Sequence, residues 1–432
     1  MSGYVKLTVI GGSSPATPVL MLALSRAISK SELPPLRISL WGRNQRRLER
    51  INNYVDLARR EDPSYRVSSD ANFQISCHDS LAEALSDATH ILCQIRPGGM
   101  SARSLDEQLA LNAGLPGDEG IGPGGLAAFL RGRQTMEDIL AECSRTAPSA
   151  VFLQMTSPLS LMTGLTSDYY SETGFGVCEL PTTTLRRISR HVEDRLGFGS
   201  LQPALAGLNH RSWFYGFRDQ NGVDRTLDVL DAITDGDLVQ VDPRIIRQYG
   251  AIPVHYLSLF LHSKRHVSRQ RDARQTRGEE LSDWSTQLDR AYCHGAEVDY
   301  RHVTKLLRDR NIDWYKEGVL PALKALLSSE PVRLPLNLPN RGSIQGVPDN
   351  AIIEIYAHVH DGAATPTAVP PLPELPGKLT RELVGYEQAV LALPPNPSPE
   401  DVHGVLTLHP LCRSGNFSEL AAEISHASKT GP

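Results

Sequence analysis

The stretch Leu7–Pro18, "LTVIGGSSPATP", decides how this chain is organised. It carries the apolar run Val5–Ile10 into two glycines and two hydroxyls, then into Val19–Ile28, whose apolar residues have helical spacing. Gly11 and Gly12 permit a tight turn, and the helix start beyond them offers N–H groups suited to a phosphate. The spacing differs from GxGxxG, so a plain strand-to-helix turn without a ligand stands beside the nucleotide reading. Outward from this stretch, the apolar runs Leu36–Trp41, Gln74–Cys77, His90–Ile95 and Ala150–Met155 alternate with helical patterns at Leu81–Ala88 and Leu126–Cys143. Short apolar strands alternating with helices predict an α/β fold. The expected core is a Rossmann-type doubly wound parallel sheet, covered on both faces, with ligands beyond the carboxyl ends of its strands.

After about Asn209 the pattern changes. Val254–Leu261 and Val303–Leu307 read as helical, Trp314–Leu327 as an amphipathic helix, and Val332–Leu338 and Ala351–His358 as strands. The proline-rich Thr365–Lys378 reads as a surface excursion ahead of a helix over Leu379–Leu393. A chain of 432 residues exceeds one ordinary core. Two domains are therefore expected: a dinucleotide-binding domain over residues 1–208, and an α+β domain for substrate and oligomerisation over 209–432.

Composition narrows the function. The chain is 40% hydrophobic and 22% charged with a formal net charge of −5, which argues against nucleic-acid binding. No apolar run reaches the length of a membrane span, and "MSGYVKLTVIGG" reads as a strand rather than a signal peptide. Six cysteines without a CxxC pair predict free thiols in a reducing, cytoplasmic setting.

Two places carry candidate chemistry by residue type. In "RISLWGRNQRRLERI", Gly42 and Arg43 stand where many NAD-binding sheets place an acid for the ribose hydroxyls. A guanidinium suits a 2′-phosphate, which points to NADP or a relaxed choice, the plain alternative being a solvated Arg43. In "GFGVCELP" (Gly174–Pro181) Cys178 ends an apolar strand, and in "LAGLNHRSWF" His210 ends another. At the ends of adjacent parallel strands, a thiolate and an imidazole would form half of a site for a borderline divalent cation, leaving positions for substrate oxygens. Taken singly, such residues more often belong to a core.

The ordered set "VIGGSSPATP", "QIRPGGMSARSLDEQLALNAGLPGDEGIGPGG", "QMTSPLSLMT", "GVCELP", "GLNHRSW", "AIPVHYL" and "NLPNRGSIQGVPDNAIIEIYAHV" resembles glycoside hydrolase family 4. It runs from about residue 5 to residue 358, and the trailing "LTLHPL" (Leu406–Leu411) is also similar to the family. The resemblance implies an architecture like that of lactate and malate dehydrogenases, a nicotinamide cofactor (NAD or NADP) and a divalent metal, usually Mn2+. It also implies glycoside cleavage by redox-assisted elimination. Hydride leaves sugar C3, the proton on C2 becomes acidic and a tyrosine removes it while the metal holds the developing enolate. The C1–oxygen bond then breaks, water adds and hydride returns.

Position by position, the resemblance implies Cys178 and His210 as metal ligands and Tyr256 as general base. The base's ordinary pKa of about 10 would have to fall, with a metal or an arginine as the cause. Arg96 and Glu107 match positions lining the sugar, Asn209 lies beside the metal histidine, Glu119 falls in the glycine-rich "GDEGIGPGG" loop, and Arg277 in "TRGEE" faces the substrate. Glu179 is the candidate proton donor to the leaving oxygen, or else only a neighbour of the metal ligand. Gly11, Gly12, Ser13, Ser14 and Arg43 form the expected cofactor site. Ser157, in "TSP", replaces an amide that in the family contacts sugar hydroxyls, and "DEG" (Asp118–Gly120) replaces Gln-Glu-Thr. These departures leave the sugar, the anomer and any 6-phosphate open. Two other functions compete: a plain NAD(P)-dependent sugar or hydroxy-acid dehydrogenase, and a catalytically lapsed nucleotide- or sugar-binding protein. The joint presence of Cys178, His210 and Tyr256 favours the glycosidase, since hydride transfer alone needs no metal-plus-tyrosine set. The expected partners are a small-molecule glycoside and further copies of the chain, as a homodimer or homotetramer.

Overall fold

Six short strands form the parallel sheet that the alternating pattern predicts. In the computed structural model, which describes residues 4–292, 298–310, 312–413 and 415–429, they are β1 (Val5–Ile10), β2 (Leu36–Trp41), β3 (Phe73–His78), β4 (His90–Cys93), β5 (Val151–Gln154) and β6 (Gly174–Gly176). They lie parallel in the order β3-β2-β1-β4-β5-β6, the doubly wound arrangement. Side chains alternate between two cores: Leu92 joins one, its neighbours Ile91 and Cys93 the other. That is why these strands are apolar throughout rather than at every second residue.

The strand order reverses between β1 and β4, which opens the crevice where such sheets bind ligands. Gly11 turns out of β1 at φ +87°, and a Cβ there would sit 2.9 Å from the Gln94 carbonyl oxygen. Only glycine lets the turn pass so close to the end of β4.

The second half departs from a free-standing domain. β7 (Gln202–Leu208), β8 (Arg211–Arg218) and β9 (Ile252–Pro253) form a small antiparallel sheet. β10 (Val332–Pro339), β11 (Ile352–His360) and β12 (Ala363–Pro366) instead extend the large sheet antiparallel beyond β6, to nine strands. One apolar core runs from Val9 and Leu40 through Trp213 and Leu257 to Ile353. The expected boundary at 208/209 falls where β7 meets its two-residue turn to β8, so strands of the small sheet lie on both sides of it.

Two local expectations change. His210 does not end a parallel strand; it sits in the antiparallel β7–β8 turn, with φ +64°, a geometry that tight hairpins require. The segment Trp314–Leu327 is not one regular helix but a π turn, Tyr315–Val319, running into an α-helix, Leu320–Leu326. Pro321 has no N–H to return to the preceding turn, and the widened turn absorbs the mismatch. Among the described residues, no helix is long and apolar enough to cross a membrane.

Candidate active site

Beyond the carboxyl end of β6 the chain reaches Cys178, which is buried. The helix Leu180–Leu196 begins at once, with Glu179 at its N-cap and Pro181 in its first turn. The Cys178 sulfur lies 3.8 Å from Glu179 Oε2. Tyr256 lies on the 3-10 turn His255–Leu257 that follows β9, and it packs against Leu159, Cys178 and Leu180. Its ring centroid is 4.4 Å from that of His210. Three separate turns thus bring thiol, imidazole and phenol to one crevice. The glycine-rich loop crosses it as well: a Cβ on Gly120 would lie 3.4 Å from Ser157 Oγ, 3.4 Å from Asp118 Oδ1 and 3.7 Å from His210 Nδ1.

Burial governs the charges here. It holds the Cys178 thiol well above its ordinary pKa, with Glu179 and Glu354 adding to it and the Leu180 N–H and Asn209 amide opposing. Burial also raises the Glu179 carboxyl. The Tyr256 phenol is pushed up to about 12, by burial first and Asp118 next, with Arg103 pulling the other way. The expected fall is therefore not produced by these side chains alone. Burial, and then Arg211, lower the His210 imidazole to about 3. It is neutral near pH 7, and its buried Nδ1 has no hydrogen-bond partner among the described residues. An orphaned imidazole nitrogen beside a thiol fits the donor preference of a borderline divalent cation. No group of three or more His, Cys, Asp or Glu assembles among the described residues. A cation held by Cys178 and His210 would keep positions for substrate oxygens.

Guanidinium groups line the other side. Arg96, just after β4, pairs with Glu119. Arg103 bonds Glu107 Oε1 through Nε at 2.7 Å and Glu119 Oε1 through Nη1 at 2.8 Å. Glu107 Oε2 accepts the Gly278 N–H at 3.0 Å. Both Glu107 oxygens are thus engaged, and Glu107 serves as the anchor of Arg103 rather than as a free carboxylate. Asn209 turns inward, its Nδ2 donating to Glu354 Oε1 at 2.9 Å. Arg277 is exposed and paired with Glu280 at 2.6 Å, outside the thiol–imidazole–phenol cluster.

The sequence pattern does not single out Arg103, Arg310 or Glu354. Arg103 carries a signal in retrospect, standing four residues before Glu107 on the helix Gly99–Asn112. Arg310 carries almost none. Its guanidinium lies 5.3 Å from the ring centroid of Trp314, four residues on, and 5.9 Å from that of Trp284, which a separate helix brings in. Burial lowers its pKa, and the charges of Arg277 and Arg103 lower it further, while Tyr256 opposes them. Arg310 Nε has no hydrogen-bond partner among the described residues.

At the nucleotide end, the Gly11 and Gly12 N–H groups both donate to the Trp41 carbonyl, at 2.9 and 2.8 Å. Of the turn's hydroxyls, Ser14 Oγ accepts the Ala16 N–H at 3.4 Å, and Ser13 Oγ faces Gly42. A Cβ at Gly42 would lie 2.5 Å from Ser13 Oγ, so the missing ribose acid has a steric cause: the Ser13 hydroxyl fills its place. Arg43 stands exposed beside it. From the helix side, Tyr315 donates to Gln94 Oε1 at 2.7 Å, and Gln94 Nε2 donates to Gly11 O and Thr17 Oγ1. The turn is thereby braced against β4.

The family model described as Family 4 glycosyl hydrolase matches residues 6–193, and that of the Family 4 glycosyl hydrolase C-terminal domain matches residues 205–412. The chain is similar to the 6-phospho-beta-glucosidase of Escherichia coli (strain K12), with 26% identity over 446 residues covering 98% of this chain and 94% of that protein. It is similar in structure to the 6-phospho-beta glucosidase from Thermotoga maritima solved with NAD and glucose-6-phosphate, at a TM-score of 0.83 and 23% identity over 98% of each chain. The malate dehydrogenase from Naegleria fowleri ATCC 30863 shares the architecture at a TM-score of 0.52 and 12% identity, over 90% of this chain and 98% of that one.

Proposed function

This chain belongs to the family 4 glycosyl hydrolases, and we propose that it cleaves a glycoside bearing a 6-phosphate, by NAD(P)-assisted oxidation at C3, deprotonation at C2 and elimination at C1. The observation that carries the substrate class is Arg310: a guanidinium gripped by two indoles, close to Arg103 and Tyr256, with Nε unsatisfied among the described residues. Cations gathered against their mutual repulsion suit an anionic substituent. The relatives named above, one acting on a 6-phosphoglucoside and one solved with glucose-6-phosphate, support that reading.

The Gly11–Ser14 turn would hold a nicotinamide cofactor, which would supply hydride exchange with the sugar, and Cys178 and His210 would hold Mn2+, which would supply positive charge. The chain's own groups do the rest. Tyr256 takes the C2 proton through its phenolate oxygen. With burial pushing its pKa up to about 12, the phenol is protonated near pH 7. Its basicity therefore depends on nearby positive charge, to which Arg103 contributes. Glu179, its pKa raised by burial, holds a proton for the leaving oxygen. Ser157 offers its hydroxyl to the sugar, and Arg96, held by Glu119, closes the crevice toward the cofactor. Ser13 and Arg43 read the ribose end.

The test incubates the protein with Mn2+, NAD and aryl glucosides with and without a 6-phosphate. Release of the aryl group from the phosphorylated substrate, with no net NADH, is expected. Stoichiometric NADH would establish a plain dehydrogenase, and equal rates on both substrates would remove the phosphate. Arg310→Ala should lower kcat/KM for the phosphorylated substrate by about a hundredfold or more; an unchanged value takes Arg310 out of the site. Arg43→Ala should weaken NADP binding by about tenfold and leave NAD within twofold, and titration of both cofactors checks it. A reducing cytoplasm suits the five free cysteines among the described residues. The assembly we assign is a homodimer or homotetramer, which light scattering on the purified protein decides.

A further inference from the structure

Glu354 lies on β11, opposite Asn337 of β10, and is 1% exposed. Its oxygens accept three hydrogen bonds: from Asn209 Nδ2 at 2.9 Å and Asn337 Nδ2 at 3.3 Å on Oε1, and from Ser212 Oγ at 2.5 Å on Oε2. Asn209 lies in the β7–β8 turn that carries His210 and Ser212 follows just after it, and the Asn209 amide stands near enough to the Cys178 sulfur to favour its thiolate. Burial pushes the Glu354 carboxyl up to about 7, against the hydrogen bonds from Ser212, Asn209 and Asn337; in its ionised form it only accepts, which sets the nitrogen end of the Asn209 amide toward it. The second N–H of that nitrogen is then left for the sulfur.

We propose that Glu354 is the positioning residue of the cation site, orienting Asn209 toward the Cys178 sulfur and clamping the hairpin that bears His210. The inference rests on Cys178 and His210 as metal donors. Groups that orient metal ligands commonly change metal affinity 10–100-fold when altered. Among the described residues Glu354 makes no hydrogen bond to Cys178 or His210; it acts through Asn209 and Ser212, and its charge is felt at the Cys178 thiol.

The test titrates full-length protein with Mn2+, and separately with Co2+, whose thiolate charge-transfer absorption reports the Cys178 bond. Glu354→Gln should weaken Mn2+ binding about 10–100-fold and shift or weaken the cobalt band. Asn209→Ser should do the same while keeping the buried carboxylate with Ser212 and Asn337, and it serves if Glu354→Gln fails to fold. A wild-type band that persists unaltered in the variants, with unchanged Mn2+ affinity, overturns the positioning role alone. A wild-type protein without any thiolate band overturns the Cys178 assignment, and with it this inference.

Discussion

Tyr256→Phe is expected to lower turnover by about a thousandfold, while Mn2+ and substrate affinities change little. The phenol's ring is held by packing, against Leu159, Cys178 and Leu180 on one side and the His210 ring on the other. Phenylalanine keeps that packing and removes only the oxygen that takes the C2 proton. General-base removal costs about 10²–10⁴-fold, and two neighbours are poor substitutes: burial lowers the His210 pKa to about 3, and Glu107 is already bonded to Arg103 and the Gly278 N–H. The direct readout is NMR of the sugar C2 proton in deuterated water. Wild-type protein should exchange it and the variant should not. Exchange at the normal rate in Tyr256→Phe would show that another group is the base.

Cys178→Ser should abolish Mn2+-dependent hydrolysis and weaken Mn2+ binding by about a hundredfold or more. A serine hydroxyl stays protonated and neutral near neutral pH, and so binds a divalent cation more weakly than an anionic thiolate. Folding should survive, because the Leu180 N–H and the Asn209 amide that meet the sulfur can meet an oxygen. Removing Mn2+ from wild-type protein with a chelator should reproduce the loss, and re-adding it should restore activity in wild type only. An unchanged Mn2+ affinity in the variant would remove Cys178 from the site.

The parallel sheet was readable because its signal is local. Six apolar runs bounded by turns and separated by helical patterns leave few other folds, and β1, β2 and β4 stand where the runs predict. The antiparallel extension β10–β12 was read as strands but assigned to a separate unit, since an apolar run does not announce which sheet edge it joins. The His210 turn shows the same limit. Its residue type was legible, but "LAGLNHRSWF" reads equally as a strand end and as a hairpin, and pairing between Leu208 and Arg211 decides which.

What the sequence determined by itself is the sheet and the glycine corner at its switch point, while the family resemblance marked Cys178, His210, Tyr256 and Glu179 as candidates. These depend on neighbours in the chain. What only the tertiary structure decided is how those groups are charged and aimed. Tyr256 rises rather than falls because burial outweighs Arg103. Asn209 and Glu107 face protein partners, and Arg310 gains its place from two tryptophans and the guanidinium groups around it. Burial and electrostatic fields sum over atoms close in space but far apart in the chain, and no local pattern encodes that sum.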